Sequence, residues 1–226
     1  MILPRIVSRD QWLAARAELL EWEDELARLN DAVNARRRSM PMVEVERDYA
    51  FEGPNGTVGL NDLFDGFDQL IVQHFMFDPE WDAGCPSCAD SADEISAGLL
   101  AHLRAAGTAF AMVSLAPFQK IRAYRAAQGW DFPWYSSFGT TFNYDYHVTL
   151  DERVAPVLYD FQPKDKLLAA GEPDDLLDAE VPVEIPGISC FLRDGDSIFH
   201  TYSAYARGLE QIGHAHSFLD LTRRVS

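Results

Sequence analysis

The chain of 226 residues has few cysteines, few basic residues and no long apolar run. Its three cysteines are too few for the disulfide framework of a small secreted scaffold. Nineteen Lys and Arg are outnumbered by 36 Asp and Glu, which gives a formal net charge of −17. Such a surface repels nucleic-acid phosphates and anionic membranes. We therefore expect neither nucleic acid nor membrane among the partners.

The chain also lacks the apolar segments that direct a protein to a membrane or across it. No run reaches the roughly 18–20 apolar residues that a membrane span needs. The N-terminal residues MILPRIVSRD contain neither a long apolar core nor the small-residue cleavage site of a signal peptide. The sequence predicts a cytoplasmic protein, and cysteines in the cytoplasm rest mostly reduced.

The most informative feature that is present is a close cysteine pair, Cys85 and Cys88, just after the apolar stretch Leu70 to Phe77. If Cys85 lies at the start of a helix, free backbone N–H groups and the helix dipole stabilise its thiolate. Pro86 suits the first turn, because its missing N–H would have no partner in the helix anyway. Cys88, one turn later, would be more buried and could resolve a mixed disulfide. Redox chemistry is the first hypothesis, with half a metal site and two inert thiols as alternatives.

A metal site needs about four ligands, usually cysteine or histidine. The chain has no second C-x-x-C, and its histidines are scattered, although His214 and His216 could contribute one ligand. A nucleophile elbow, a phosphate-binding glycine loop and an HExxH motif are all missing from the sequence. We predict no metal and no cofactor.

A long helix is predicted over Ser8 to Arg38. Ser8 and Gln11 have the spacing of a capping box, and Pro41 ends the helix. Apolar residues three and four apart form a heptad seam: Trp12, Ala15, Leu19, Trp22, Leu26, Leu29 and Val33. The seam fits either a helix packed on its own domain or a dimerisation arm. Residues 1–40 are therefore interpreted as a helical arm, with the possibility of a homodimer through this helix.

Residues 41–226 read as one α/β domain, because apolar strands alternate with helices. An irregular insertion is expected at about 149–183.

Arg207 is a candidate for binding a carboxylate or phosphate. The predicted elements are a strand at Val43–Phe51, a strand at Leu70–Phe77, a helix at Ala89–Ala106, a strand at Thr108–Leu115, a helix at Pro117–Gln128, a hairpin of Ile188–Leu192 and Ser197–Tyr202 around Asp194-Gly195, and a last helix or turn within Gly208–Leu221.

The residue order resembles the thioredoxin-like superfamily and its peroxiredoxin branch. YAFEGPNGTVGLNDLFDGFDQLIVQHFMF is similar to the peroxiredoxin opening, and ISCFLRDGDSIFHTYS is similar to the terminal hairpin. More narrowly, SRDQWLAARAELL, HFMF, GCPSC, FPWYSSFG, FNYD and FLRDGDSIFHTYSAYARGL resemble the thioredoxin-like family catalogued as domain of unknown function 899. The resemblance implies a three-layer thioredoxin-like fold: a central mixed sheet flanked by helices, with the long N-terminal helix added.

The resemblance implies Cys85 and Cys88 as catalytic residues. It places the substrate around Trp81, Pro86, Ser87, Pro186, Gly187 and Arg207. Two departures from the relatives stand out. The Thr or Ser of the peroxiredoxin P-x-x-x-[TS]-x-x-C motif is missing here, and the spacing after Pro79 is one residue short. Pro186 is the nearest candidate for the thioredoxin cis-proline, but Gly187 occupies the better-aligned position counted from Asp194-Gly195.

The function expected from the sequence is thiol–disulfide exchange with a small-molecule or protein thiol or disulfide of unknown identity. A weak thiol peroxidase, a non-catalytic binding or dimerisation module and a metal carrier are the alternatives. Replacing Cys85 by Ser would abolish catalysis but leave dimerisation and ligand binding in place.

Overall fold

The computed structural model describes residues 5–170 and 182–209. The chain divides into two compact units, Met1–Pro41 and Met42–Ser226. The first contains α1, Arg9–Arg38, which confirms the helix predicted from the sequence. Ser8 accepts a hydrogen bond from the Gln11 N–H at 3.3 Å, and the Gln11 side chain accepts one from the Ser8 N–H at 3.2 Å. This capping box satisfies two N–H groups that the helix itself leaves without partners.

The second unit is built on an eight-stranded sheet in the order β1-β12-β11-β4-β5-β6-β2-β3. Its strands are β1 (Val43–Glu44), β2 (Ala50–Gly53), β3 (Gly56–Gly59), β4 (Gln69–His74), β5 (Thr108–Ser114), β6 (Trp134–Ser136), β11 (Gly187–Asp194) and β12 (Ser197–Tyr205). Four short strands form two separate pairs: β7 (Thr149–Leu150) with β10 (Val183–Glu184), and β8 (Leu158–Tyr159) with β9 (Gln162–Pro163).

The helices of this unit connect and flank the strands. They are α2 (Pro86–Asp93), α3 (Ala97–Ala105), α4 (Phe118–Gln128), α5 (Phe142–Asp145) and α6 (Lys164–Ala170), with two 3-10 helices at Leu60–Phe64 and Ala206–Leu209. The strands β4, β5 and β6 are parallel, and the β11–β12 hairpin lies antiparallel beside β4. The order β5-β4-β11-β12, with helices joining β4 to β5, is the thioredoxin arrangement, and it confirms the fold expected from the sequence.

Alternation along the central strands separates two apolar clusters on opposite faces of the sheet. On β4, Leu70 and Val72 pack in one cluster with Phe142 and Tyr146. The chain beyond β4 carries Phe75 into the other cluster, which contains residues of α2 and α4. The alternation of apolar side chains thus fixes which face α2 covers, and α2 begins directly after Cys85.

The strand predicted at Val43–Phe51 is wrong, because the segment divides between distant parts of the sheet. Val43 and Glu44 pair with β12, whereas Glu52 of β2 pairs with Ser136 of β6. The connection is anchored by Asp145, which accepts hydrogen bonds from Arg47 at 3.0 Å and from Tyr49 at 2.9 Å.

The single helix predicted at Ala89–Ala106 is also wrong, because it is two helices. α2 ends at Asp93, and Ser96 starts α3 by accepting a hydrogen bond from the Leu99 N–H at 3.1 Å. The helix Pro117–Gln128 and the hairpin around Asp194-Gly195 are confirmed as α4 and β11–β12. Within the predicted insertion at 149–183, residues 171–181 lie outside the described part, as does most of the predicted segment Gly208–Leu221 with His214 and His216.

Candidate redox site

The loop from β4 to the cysteines is fixed to the rest of the domain by hydrogen bonds. The Cys85 N–H donates to the Met76 carbonyl at 3.0 Å. Lys120, from α4, donates through Nζ to the carbonyls of Pro79 at 2.5 Å and Trp81 at 2.9 Å. The ammonium group thereby satisfies two carbonyl groups of the loop, and it holds the loop against α4.

Gly84 brings this loop into close contact with an aromatic ring. A Cβ atom at this position would lie 2.4 Å from Cε1 of Phe75 and 3.1 Å from Cε1 of Tyr124. Only glycine lets the backbone pass so close to the ring. Since Phe75 is buried in the core, the position of Cys85 is set by the core and not by the loop alone.

Cys85 is the N-cap residue of α2, and Pro86 occupies the first helical position. The Sγ atom of Cys85 lies 3.1 Å from Oγ of Ser87. Burial acts to raise the pKa of Cys85, but hydrogen bonds from the Ser87 hydroxyl, the Cys88 and Ser87 backbone N–H groups and the Cys88 thiol outweigh it, so the pKa is lowered. Free N–H groups at a helix start are the donors that stabilise a thiolate. Cys85 is half-buried and is the more acidic thiol of the two.

Cys88, one turn further along α2, has the opposite environment. It is 7% exposed, and burial raises the pKa of its thiol to about 12. Both thiols are free in the structure. The third cysteine, Cys190, lies in the middle of β11 opposite Ile71, and burial raises its pKa to about 11. The site therefore holds one ionisable thiol at a helix start and one protonated thiol beneath it.

A buried carboxyl group of β10 acts on Cys88 through its charge. Glu184, the last residue of β10, is 6% exposed and accepts a short hydrogen bond from the hydroxyl of Thr149, its partner in β7. The pKa of Glu184 is raised to about 8, chiefly by burial and also by the charge of Asp78, against the hydrogen bonds from Thr149 and Asn143 that lower it. The charge of Glu184 in turn raises the pKa of Cys88.

The sequence model of the bacterial protein family of unknown function DUF899 matches residues 1–224. The chain belongs to this family. Among curated proteins, none matches the chain.

Among solved structures, the DUF899 chain is similar to a mutant of peroxiredoxin Q from Xanthomonas campestris, with 15% identity, a TM-score of 0.44, and coverage of 76% of this chain and 88% of the other. It is also similar to a Chlorobium tepidum protein titled as a putative thiol:disulfide interchange protein DsbE, with 13% identity, a TM-score of 0.39, and coverage of 76% and 92%. An uncharacterized thioredoxin-like protein from Porphyromonas gingivalis has 14% identity, a TM-score of 0.41, and coverage of 76% and 86%.

The structure brings some of the sequence-predicted site residues together in one turn: Cys85, Pro86, Ser87 and Cys88. Trp81 lies in the preceding loop and is 39% exposed. Pro186 immediately precedes β11, and Gly187 pairs with His74 at the end of β4. A Cβ atom on Gly187 would lie 2.8 Å from the Tyr205 ring, so this glycine also has a packing role. Arg207 belongs to the 3-10 helix Ala206–Leu209, and its side chain is outside the described part of the chain.

Glu184 is the site residue that sequence reasoning missed. It stands alone as an acid in the apolar run VPVEIPGI, and this isolation is the one signal that could have identified it. Its burial depends on the pairing of β10 with β7, whose partner residues are 33 and 35 positions apart in the chain, which no local pattern reveals. In residues 5–170 and 182–209, no three His, Cys, Asp or Glu side chains group as metal ligands, and no helix is long and apolar enough to cross a membrane.

Proposed function

We propose that this protein is a thiol–disulfide oxidoreductase in which Cys85 is the attacking thiol and Cys88 the resolving thiol. The observation that carries the proposal is the contrast within one helical turn: the pKa of Cys85 is lowered by donors at the helix start, and the pKa of Cys88 is raised to about 12 by burial. The thiolate is the nucleophile in exchange, so attack begins at Cys85.

The reaction has two steps. The Cys85 thiolate attacks a substrate disulfide, forming a mixed disulfide and releasing one substrate thiolate. Cys88, once deprotonated, attacks the Cys85 sulfur, so that the internal disulfide forms and the second substrate thiolate leaves. The substrate gains two electrons and the cysteine pair loses two, and an external thiol reductant later restores the pair.

Trp81, Pro86, Ser87, Pro186, Gly187 and Arg207 are the proposed substrate-binding residues. The exposed ring of Trp81 offers an apolar surface on the loop that leads to Cys85. The proposed substrate is a small-molecule or protein disulfide, and the proposed location is the cytoplasm, where the resting pair is reduced. Trapping thiols by rapid alkylation of intact cells should then find Cys85 and Cys88 mostly labelled.

The proposed function is tested by a redox titration of the pair. The protein is equilibrated in graded glutathione buffers, its thiols are trapped by alkylation, and the labels are counted by mass. A reversible two-electron transition between roughly −120 and −270 mV, the range of known exchange proteins, is expected. Cys85→Ser should abolish it, while Cys190→Ser should leave it in place. Thiols that never pair under any buffer would refute exchange through this motif.

We also propose that residues 1–40 form a dimerisation arm separate from the thioredoxin-like domain at 41–226. None of the thirty residues of α1 is buried, and the heptad seam exposes Trp22 to 72% and Leu29 to 60%. At 1.5 Å per residue the helix is about 45 Å long, so a second copy of the same seam could cover it along several heptads.

Light scattering of the full chain tests this arm. We expect a dimer that Leu26→Glu, on the seam, converts to a monomer, because a charge there would be buried in the helix pair. Ala27→Glu, one residue away and off the seam, should leave the dimer intact. A monomeric wild-type chain would refute the dimerisation arm.

A further inference from the structure

The exposed seam of α1 mixes very large and small side chains, and this limits how two copies of the helix can meet. In a parallel pair in register, each seam residue faces itself in the second copy. Indole would then face indole at Trp12 and at Trp22, and methyl would face methyl at Ala15. Two indoles crowd the space between helices about 8–10 Å apart, whereas two methyl groups leave a gap. Both kinds of misfit destabilise a packed interface.

An antiparallel pair evens out these sizes. A two-fold axis across α1 between Leu20 and Glu21 sets large seam residues against smaller ones of the second copy. The contact then extends over 17 residue steps, or about 26 Å, along each helix. Three kinds of layer result, each present twice: Trp12 with Leu29, Ala15 with Leu26, and Leu19 with Trp22.

The charges beside the seam also favour the antiparallel pair. Arg16 and Glu23 lie one heptad apart on the same side of the seam, and Arg16 Nη2 donates to Glu23 Oε2 at 2.7 Å. Nη1 of the same guanidinium is shielded from water and has no hydrogen-bond partner among the described residues. In the antiparallel pair Arg16 lies beside Glu23 of the second copy, which supplies a further carboxylate. In a parallel pair Glu23 would face Glu18 of the second copy, and like charges repel.

The other side of the seam makes the two orientations easy to distinguish. There the antiparallel pair sets Glu18 beside Glu25 of the second copy, a repulsion that weakens the dimer. In a parallel pair Glu25 would face Asn30 instead. An antiparallel pair shifted by one heptad would set Arg36 against Trp12 and bury a charge, so the register centred between Leu20 and Glu21 is favoured.

We propose that α1 pairs in antiparallel orientation with α1 of a second copy of this chain, an inference that rests on the proposed dimerisation arm. Leu19 and Trp22 form the central layers, and Arg16 and Glu23 form alternating ion pairs across the two-fold axis. Because each copy presents the same surface to the other, the contact is closed at two chains.

Sedimentation equilibrium of the full chain tests the orientation through the dimer Kd. Glu23→Arg replaces two attractions by two repulsions, so the dimer should weaken on the order of tenfold at low salt. In a parallel pair the same change would strengthen the dimer, since the new arginine would face Glu18. Glu25→Lys should tighten the antiparallel dimer by a similar factor, because it removes the repulsion from Glu18. Glu21→Arg, which lies off the seam, controls for the change in net charge.

Mixing two variants gives the sharpest result. Glu23→Arg and Arg16→Glu should each repel their own copies, whereas in the mixed pair both contacts across the axis join an arginine to a glutamate. Both variants have lost the Arg16–Glu23 hydrogen bond within the helix. An affinity of the mixture close to that of the wild type is therefore expected, and it reports the contact between chains alone.

Two results would overturn the antiparallel pair and leave the dimerisation arm standing. One is a Glu23→Arg chain that dimerises more tightly than both the wild type and Glu21→Arg. The other is a mixture that associates no better than either variant alone. A wild-type chain that stays monomeric at every concentration would instead refute the dimerisation arm itself.

Discussion

At the residue scale, the two thiols of one motif differ because of what surrounds each sulfur. Cys85 lies at the start of α2, within reach of the backbone N–H groups of Ser87 and Cys88 and of the Ser87 hydroxyl. Cys88 is buried against the core, where ionisation is disfavoured. A separation of three residues in α2 is enough to place one sulfur at the start of the helix and the other in the buried core.

The residue-scale prediction concerns the Ser87 hydroxyl, 3.1 Å from Cys85 Sγ. Ser87→Ala removes a donor to the thiolate, so the pKa of Cys85 should rise and its reaction with a small disulfide at neutral pH should slow by about twofold to tenfold, as expected for one partly exposed hydrogen bond to a charge. Thiolate absorbance against pH measures the pKa. Ser91→Ala, in the same helix but bonded to Gln73 at 3.3 Å, is the control. Equal titrations of both variants would rule out the hydroxyl.

At the element scale, the start of α2 is positioned by packing outside the helix. Gly84 lies against the buried Phe75 ring, and Lys120 of α4 holds the carbonyls of Pro79 and Trp81. Packing against the core and α4 therefore determines the position of the cysteine turn. The start of α2 supplies the N–H groups that donate hydrogen bonds to Cys85.

The element-scale prediction follows from the space at Gly84. A Cβ atom 2.4 Å from Phe75 Cε1 forces the buried ring or the loop to move, so Gly84→Ala should destabilise the fold by about 1–3 kcal/mol, as overpacking does, and should also slow the reaction of Cys85. Urea unfolding measures the stability. Gly98→Ala, in α3 with only Ser96 Oγ at 3.7 Å, should be neutral or stabilising by up to about 1 kcal/mol. A Gly84 variant as stable as the wild type would contradict this close packing.

At the scale of the whole molecule, two buried ionisable groups make the stability of the fold depend on pH in opposite directions. His74, 2% exposed, bonds through Nε2 to Ser189, and burial lowers its pKa to about 3. Ser189 and Ser203 continue this chain of hydrogen bonds to His200. Glu184, in contrast, has a pKa raised to about 8 by burial. Both groups are held neutral inside the fold.

Their effects on stability have opposite signs. The pKa of His74 is lower in the folded chain than in the unfolded one, so its contribution is lost as the pH falls from about 6.5 toward 3. The pKa of Glu184 is higher in the folded chain, so its contribution is lost as the pH rises from about 4.5 to 8. Each loss has a slope of at most about 1.4 kcal/mol per pH unit.

Melting temperatures across this pH range test both limits. Relative to the wild type, His74→Gln should lose less stability on acidification, and Glu184→Gln should lose less on going to pH 8. The difference between variant and wild type cancels the general effect of the net charge of −17. Parallel curves for all three proteins would show that neither group titrates with folding.

The sequence by itself determined the elements whose signals are local. The capping box of Ser8 and Gln11, Gly129 after α4 and Asp194-Gly195 in the hairpin each specify backbone conformation within a few residues. The family resemblance supplied the fold, and the spacing of Cys85 and Cys88 supplied the candidate site. These features were predictable because the physics that produces them acts between neighbours in the chain.

Only the tertiary structure decided what depends on distant pairings. It divided Val43–Phe51 between β12 and β3, because Val43 and Glu44 pair with β12 whereas Ala50 and Phe51 pair with β3. It buried Glu184 opposite Thr149, because β10 pairs with β7 across the insertion. Burial and electrostatic environment are sums over residues brought together by the whole fold, so a local sequence pattern identifies the two thiols but not how far their pKa values differ.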